Sequence, residues 1–242
     1  GTIAAAWIPG DIGAIGRSRK KSGSWKEMSP FSYNLETPGN THFFDPVRQA
    51  FHIVSNTYSA FDAADQPDAS FRLEAAASID AASHFGVLWN IQEISAEPLN
   101  ARVRQDRSKN EGYLPQLNVA YSACAAYFVP QGVEDQPSIR IGRLTFAGIS
   151  PDTVGLFENG FVEEIPLERN DDGAYCRITV DIQHGNLERV HYGGMAVPFD
   201  VEKIKKAVVA ANPQALRSVG VLAAYGSIGV NEFVLSTKEL KE

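Results

Sequence analysis

Two stretches, DGAYCRITVDIQHGNLERVHYGG (Asp172–Gly194) and SVGVLAAYGSIGVNEFVLST (Ser218–Thr237), decide how this chain is read. In both, apolar and polar residues alternate with a period of two, as in strands that bury one face, and glycines break the runs. The same texture recurs upstream. In ASFRLEAAASID the residues Phe71, Leu73, Ala75 and Ala77 share one face. In HFGVLWNIQEI so do Phe85, Val87, Trp89 and Ile91, and the DAAS between the two runs has the length of a hairpin connection.

HFFDPVRQAFHIVSNTYSAF predicts two strands around an Asp45-Pro46 turn. QLNVAYSACAAYFV, SIRIGRLTFAGI and TVGLFENGFVEEIPL continue the series, punctuated by turn signals at ENG, NDDG, HGN and YGG. Within the last of these runs, Asn159-Gly160 predicts a type I′ hairpin that divides it into two strands. Pro98 to Glu111 is highly charged and reads as a long loop. One segment breaks the pattern. PFDVEKIKKAVVAANP places Val201, Ile204, Val208 and Ala211 on one helical face, with Asp200 as N-cap and Pro213 as a stop, for a helix of about ten residues.

Many short strands without intervening helices predict an all-β fold, an antiparallel two-sheet sandwich with one short helix. Residues 1–40 are dense in glycine, serine and charge and read as an irregular extension or linker; residues 41–242 form the sandwich domain. The 242 residues are 44% hydrophobic and 21% charged, enough apolar material for a sizeable core. The net charge of -7 argues against a nucleic-acid partner, and the one basic cluster, Arg17 to Lys21, reads as a solvated loop. No apolar run approaches the roughly 18 residues that a membrane-spanning helix needs. Cys124 and Cys176 lack metal-ligand spacing and sit in apolar strand-like runs, which predicts two buried thiols; the alternative is a disulfide, if their strands are neighbours.

The order of the closing elements carries a resemblance. A strand ending in Asp (RITVD), a turn, a strand running to a glycine pair (NLERVHYGG), an insert, then VGVLAAYG and NEFVLST resemble the last strands of concanavalin-A-like jelly-roll sandwiches. ASFRLEAAASIDAASHFGVLWN is similar to the accessory β-sandwich that follows the catalytic propeller in glycoside hydrolase family 32 enzymes. That family's catalytic motifs, of the types W-M-N-D-P-N, R-D-P and E-C-P, are absent; FFDPVRQ shares only an Asp-Pro. The resemblance therefore implies a non-catalytic carbohydrate-associated module. It would bind an oligo- or polysaccharide or brace an upstream catalytic domain, in the periplasm, at the cell surface or outside the cell.

Two other readings stay open: a glycosidase, as some concanavalin-like sandwiches are, and a protein-interaction sandwich. A glycosidase needs two carboxylates about 5 to 9.5 Å apart across a groove, and Glu158, Glu163 and Glu164 are the candidates. Glycan binding needs aromatic faces and planar polar groups, which Trp89, Asn90, Gln92, Tyr113, His191 and Tyr192 supply; His191 and Tyr192, beside Gly193-Gly194, are the first choice. No histidine spacing suggests zinc, so no metal or other cofactor is expected beyond a structural calcium at Asp62, Asp65 and Asp68. A G-x-S-x-G elbow and a phosphate-cradling glycine loop are also absent.

Overall fold

The computed structural model describes residues 2–7, 26–27, 41–45, 47, 50–101, 119–148, 157–168 and 175–237. Among the described residues thirteen strands form one antiparallel sheet: β1 (Thr2–Trp7), β2 (Lys26–Glu27), β3 (Thr41–Asp45), β4 (Ala50–Asp65), β5 (Phe71–Ile79), β6 (His84–Ile94), β7 (Val119–Val129), β8 (Ser138–Gly148), β9 (Phe157–Pro166), β10 (Tyr175–Gln183), β11 (Asn186–Tyr192), β12 (Met195–Ala196) and β13 (Ser218–Thr237). Helix α1 (Val201–Ala207) precedes β13. The spatial order is β12-β11-β10-β5-β13-β6-β7-β8-β9, with β4 on the other edge of β13. Two short segments inside residues 1–40 join this sheet: β1 pairs with the end of β13 and β2 with β4.

β13 is the organising element. The sequence suggests two strands here, VGVLAAYG and NEFVLST, but the chain runs through both as one strand of 20 residues. Its first half, Ser218–Ala224, pairs with β6; its second half, from Ile228, pairs with β5. The change of neighbour occurs at a kink, where Tyr225 has φ 57° and Gly226 has φ 153°. Gly226 is required there: a Cβ would lie 2.5 Å from Ser83 Oγ and 3.0 Å from Asp80 Oδ2. β5 and β6 therefore flank β13 at opposite ends of its length instead of forming the expected hairpin. The short connection between them is an arch, closed by Ser83 N–H to Asp80 C=O (3.1 Å) and by Ser227 N–H to Asp80 Oδ2 (2.7 Å).

The sheet thus curls into two wings, one containing β6–β9 and the other β5 and β10–β12. Their inner faces share one core. Phe71 and Leu73 of β5, Ile178 and Val180 of β10 and Phe233 of β13 pack with Val87 and Trp89 of β6, Phe128 of β7 and Ile139 and Ile141 of β8. Across the gap the rings of Phe128 and Tyr192 stack at 5.4 Å. Each fully buried side chain of this kind contributes roughly 1.5–3 kcal/mol. α1 closes the open side, burying Ile204 and Val208 in the same core, with Asp200 capping Lys203 N–H at 3.1 Å. Lys205 reaches Glu188 of β11 (3.1 Å), and Glu163 of β9 accepts Asp200 N–H (3.2 Å), so the helix ties the two wings together. It has seven residues and ends at Ala207, six short of Pro213.

Two further expectations give way to local geometry. Asn159-Gly160 lies inside β9, not in a hairpin turn, and Gly160 lets Arg143 approach: a Cβ there would meet the Arg143 carbonyl at 2.5 Å. In β6 a bulge at Asn90 (φ 51°) reverses the alternation, so Ile91 faces outward and not with Phe85, Val87 and Trp89. Cys124 and Cys176 are both buried free thiols, and burial raises the pKa of Cys124 to about 12. Among the described residues, no helix is long and apolar enough to cross a membrane.

Candidate functional site

Alternation along the β6–β9 wing leaves a second set of side chains on its outer face. In the middle this face is apolar, with Leu88, Ala125, Leu144, Phe146 and Leu222 buried. At one end its character changes. Strand pairing aligns Tyr58 of β4 with Ala224, Ala224 with His84, Gly86 with Tyr127, Tyr127 with Arg140, and Arg140 with Glu164. Residues from six different strands are thereby set in one transverse row. Five inter-strand steps make it about 24 Å long.

The row is internally bonded. Tyr58 Oη lies 3.0 Å from His84 Nδ1, and the ring of Tyr225 sits edge-on to both, at 5.4 and 5.0 Å. Burial pushes the His84 pKa down to about 4, helped by the nearby Arg140 charge, so the imidazole is neutral near pH 7. Burial also raises the pKa of Tyr58, with Tyr127 adding to it, so the phenol keeps its proton and the pair is a neutral phenol–imidazole hydrogen bond. Tyr127, raised to about 12 mainly by burial, donates to Asn159 Oδ1 at 2.8 Å. Arg140 is held between Glu164 Oε1 (Nε at 3.2 Å) and the face of Phe161 (4.7 Å to the centroid). Buried Tyr58 and Tyr127 brace the row, while Tyr225 at 44% and Phe161 at 42% exposure present rings to solvent near its ends.

The residues singled out from the sequence are dispersed. Glu164 lies in the row, whereas Glu163 turns to the α1 N-terminus; the two carboxylates serve opposite faces of β9. The Glu158 side chain, Tyr113 and Arg17 to Lys21 lie outside the described residues. Trp89 is fully buried in the core. Asn90 spends its amide on the chain itself, accepting from Gln66 Nε2 (2.8 Å) and donating to the Gly185 carbonyl (2.9 Å), and Gln92 pairs with the Asn212 backbone. These two amides fasten turns to the sheet. Tyr192 points into the core against Phe128, while its neighbour His191, in the ladder opposite Ala196, is half-buried on the other face. Of the three aspartates, Asp62 accepts from Ser218 Oγ (3.0 Å) and Asp68 sits 3.6 Å from Arg217; no group of three metal-ligating side chains occurs among the described residues.

Tyr58, His84, Tyr127, Arg140, Phe161 and Tyr225 were not singled out by the sequence reading. Their signal is faint: each is a polar or aromatic residue next to a core position, and only the register between strands brings them together.

No protein-family model matches the chain, and no curated protein sequence matches it. Solved structures do. A protein of unknown function with a galectin-like fold from Bacillus subtilis superposes with a TM-score of 0.51 at 12% identity, over 98% of this chain and 96% of that one. A carbohydrate binding module, CBM66, also from Bacillus subtilis, matches with a TM-score of 0.47 at 9% identity, over 88% of this chain and 95% of the module. A kappa-carrageenase from Zobellia galactanivorans gives 0.45 at 6%, over 89% and 96%. At such identities the likeness is one of fold and leaves activity undecided. The chain has an all-β, galectin-like fold.

Proposed function

We propose that this protein is a carbohydrate-binding module and that the transverse row on the outer face of the β6–β9 wing is where it takes a glycan. The two wings then correspond to the two sheets of a jelly-roll sandwich, joined through the kinked β13. The observation that carries the reading is the combination of exposed rings, Tyr225 and Phe161, with planar polar groups already fixed in place, Arg140, Glu164 and His84. Sugar rings offer apolar faces that stack on aromatic side chains, and hydroxyl edges that suit paired donors and acceptors. Arg140 enters the row already clamped, so little side-chain freedom is lost on binding. A row about 24 Å long, running across the strands, accommodates several sugar units in line.

The wider context belongs to the same proposal: a binding role for residues 41–242, in the periplasm, at the cell surface or outside the cell, beside a catalytic domain of a glycoside hydrolase system. The test is a glycan panel that includes levan, inulin, xylan and β-glucans, read by calorimetry for binding and by released reducing sugar for turnover. Binding without turnover, weakened about tenfold in Phe161→Ala and also weakened in Arg140→Ala, is expected. Turnover that vanishes in Glu158→Gln, Glu163→Gln or Glu164→Gln would make the protein a glycosidase instead. Silence toward every glycan would favour a protein-interaction sandwich.

A further inference from the structure

A cleft of about 200 Å³ opens where the ends of the two wings meet, away from the row. Its apolar lining includes the stacked pair Phe128 and Tyr192, with Pro130 and Pro137 beside them. Both prolines have fixed φ, and Leu167 N–H holds the Pro137 carbonyl at 2.7 Å, so this wall is rigid. Tyr175, 43% exposed, contributes a ring that water still reaches.

Among the described residues two charged side chains line the cleft, Asp80 and Glu168, and both are acidic. Asp80 is fixed by the arch: Oδ2 accepts Ser227 N–H at 2.7 Å, while Oδ1 has no partner among the described residues. Glu168 is exposed and likewise has no partner among them. No Lys, Arg or His lines the cleft among the described residues. An apolar lining with two carboxylates that no described cation faces favours a ligand that joins an apolar face to a positive charge, held by ring contact and by charge-assisted hydrogen bonds. The overall charge of -7 adds a long-range attraction of the same sign.

We infer that this cleft is a second ligand site, separate from the row, and that it takes a small organic cation, specifically an amino sugar in its free ammonium form. The volume suits one ring-sized group and excludes a long oligomer. Binding there depends on the ammonium and weakens as salt screens the carboxylates.

Two-dimensional NMR titration of the whole chain tests this, with glucosamine, N-acetylglucosamine and glucose as probes at low and high ionic strength. Glucosamine is expected to shift resonances of Tyr175, Tyr192 and Glu168, and the two neutral sugars to bind about tenfold more weakly or less, the scale of one lost charged contact. Glu168→Gln and Tyr175→Ala, both at exposed positions, should each weaken glucosamine by a similar factor, and high salt should weaken it further. Phe161→Ala, on the row, should leave glucosamine binding unchanged, so failure of the glycan reading and failure of this one are told apart. Equal binding of the neutral sugars, no glucosamine shift at the cleft, or indifference to Glu168→Gln would overturn the inference.

Discussion

The inner and outer faces of the β6–β9 wing are built from neighbouring residues. Phe85, Phe128, Ile139 and Ile165 point into the core; His84, Tyr127, Arg140 and Glu164, each one residue away, make up the transverse row. The same strands thus carry two unlike surfaces, and a shift of one residue exchanges them. The inner set is chosen for volume and lack of polarity. The outer set is bonded side chain to side chain and includes a desolvated histidine and a half-buried ion pair, which a surface with no task beyond solubility does not need. The contrast teaches that stability and the proposed glycan binding can be altered separately in this wing.

The largest break in that separation comes from the core. Phe85→Ala should cost about 3–5 kcal/mol in a denaturant melt, with glycan binding kept by whatever fraction stays folded. A loss below about 1 kcal/mol would mean that the two wings do not share a packed interior.

The next effect is acidic. His84 titrates near 4 in the fold and near 6.5 when unfolded, so between those values the unfolded chain binds more protons and stability falls as pH falls. With the ring's partial exposure allowed for, the loss is on the order of 2 kcal/mol. Melts of His84→Gln at pH 7 and pH 4.5 should show a smaller difference than those of the parent. An unchanged difference would place the acid sensitivity elsewhere.

Phe161→Ala reverses the core result. Glycan affinity should drop about tenfold, about 1.4 kcal/mol, while the melting midpoint shifts by no more than about 0.5 kcal/mol in stability. Smallest of all is Glu163→Gln, which should change neither binding nor stability beyond about 0.5 kcal/mol, because its carboxylate faces an exposed helix terminus. Set against Glu164→Gln, which should weaken binding, it measures whether the two faces of β9 are as distinct as their geometry.

The all-β character was legible because strands such as β5 alternate: Phe71, Leu73, Ala75 and Ala77 reach the core in the predicted order. The helix was legible from Asp200 and the 201/204/208 spacing. What escaped was set by contacts distant in sequence. Nothing local to Tyr225-Gly226 says that the strand continues on the far side of a kink, since that depends on the arch at Asp80–Ser83 packing against it. Asn90 tolerates its positive φ because Gln66 and Gly185, from elsewhere in the chain, satisfy it. Asn159-Gly160 carries a strong turn signal, but the ladder to β8 overrides it. The candidate site was the least legible part. A row across strands exists only once five registers are set, and no single strand contains more than a fragment of it.

The path of β13 has a mechanical consequence. A partner strand lies on each edge for most of its length: β4 then β1 on one side, β6 then β5 on the other. Neither wing can open alone without tearing hydrogen bonds from this shared spine, so the molecule should yield as a whole under heat or load. Amide hydrogens between Val219 and Leu235 should then exchange with solvent only at the pace of global unfolding, while those of the rim strands β9 and β12 exchange by fraying. The proposed glycan row, mounted on such a spine, stays in register until the entire domain lets go.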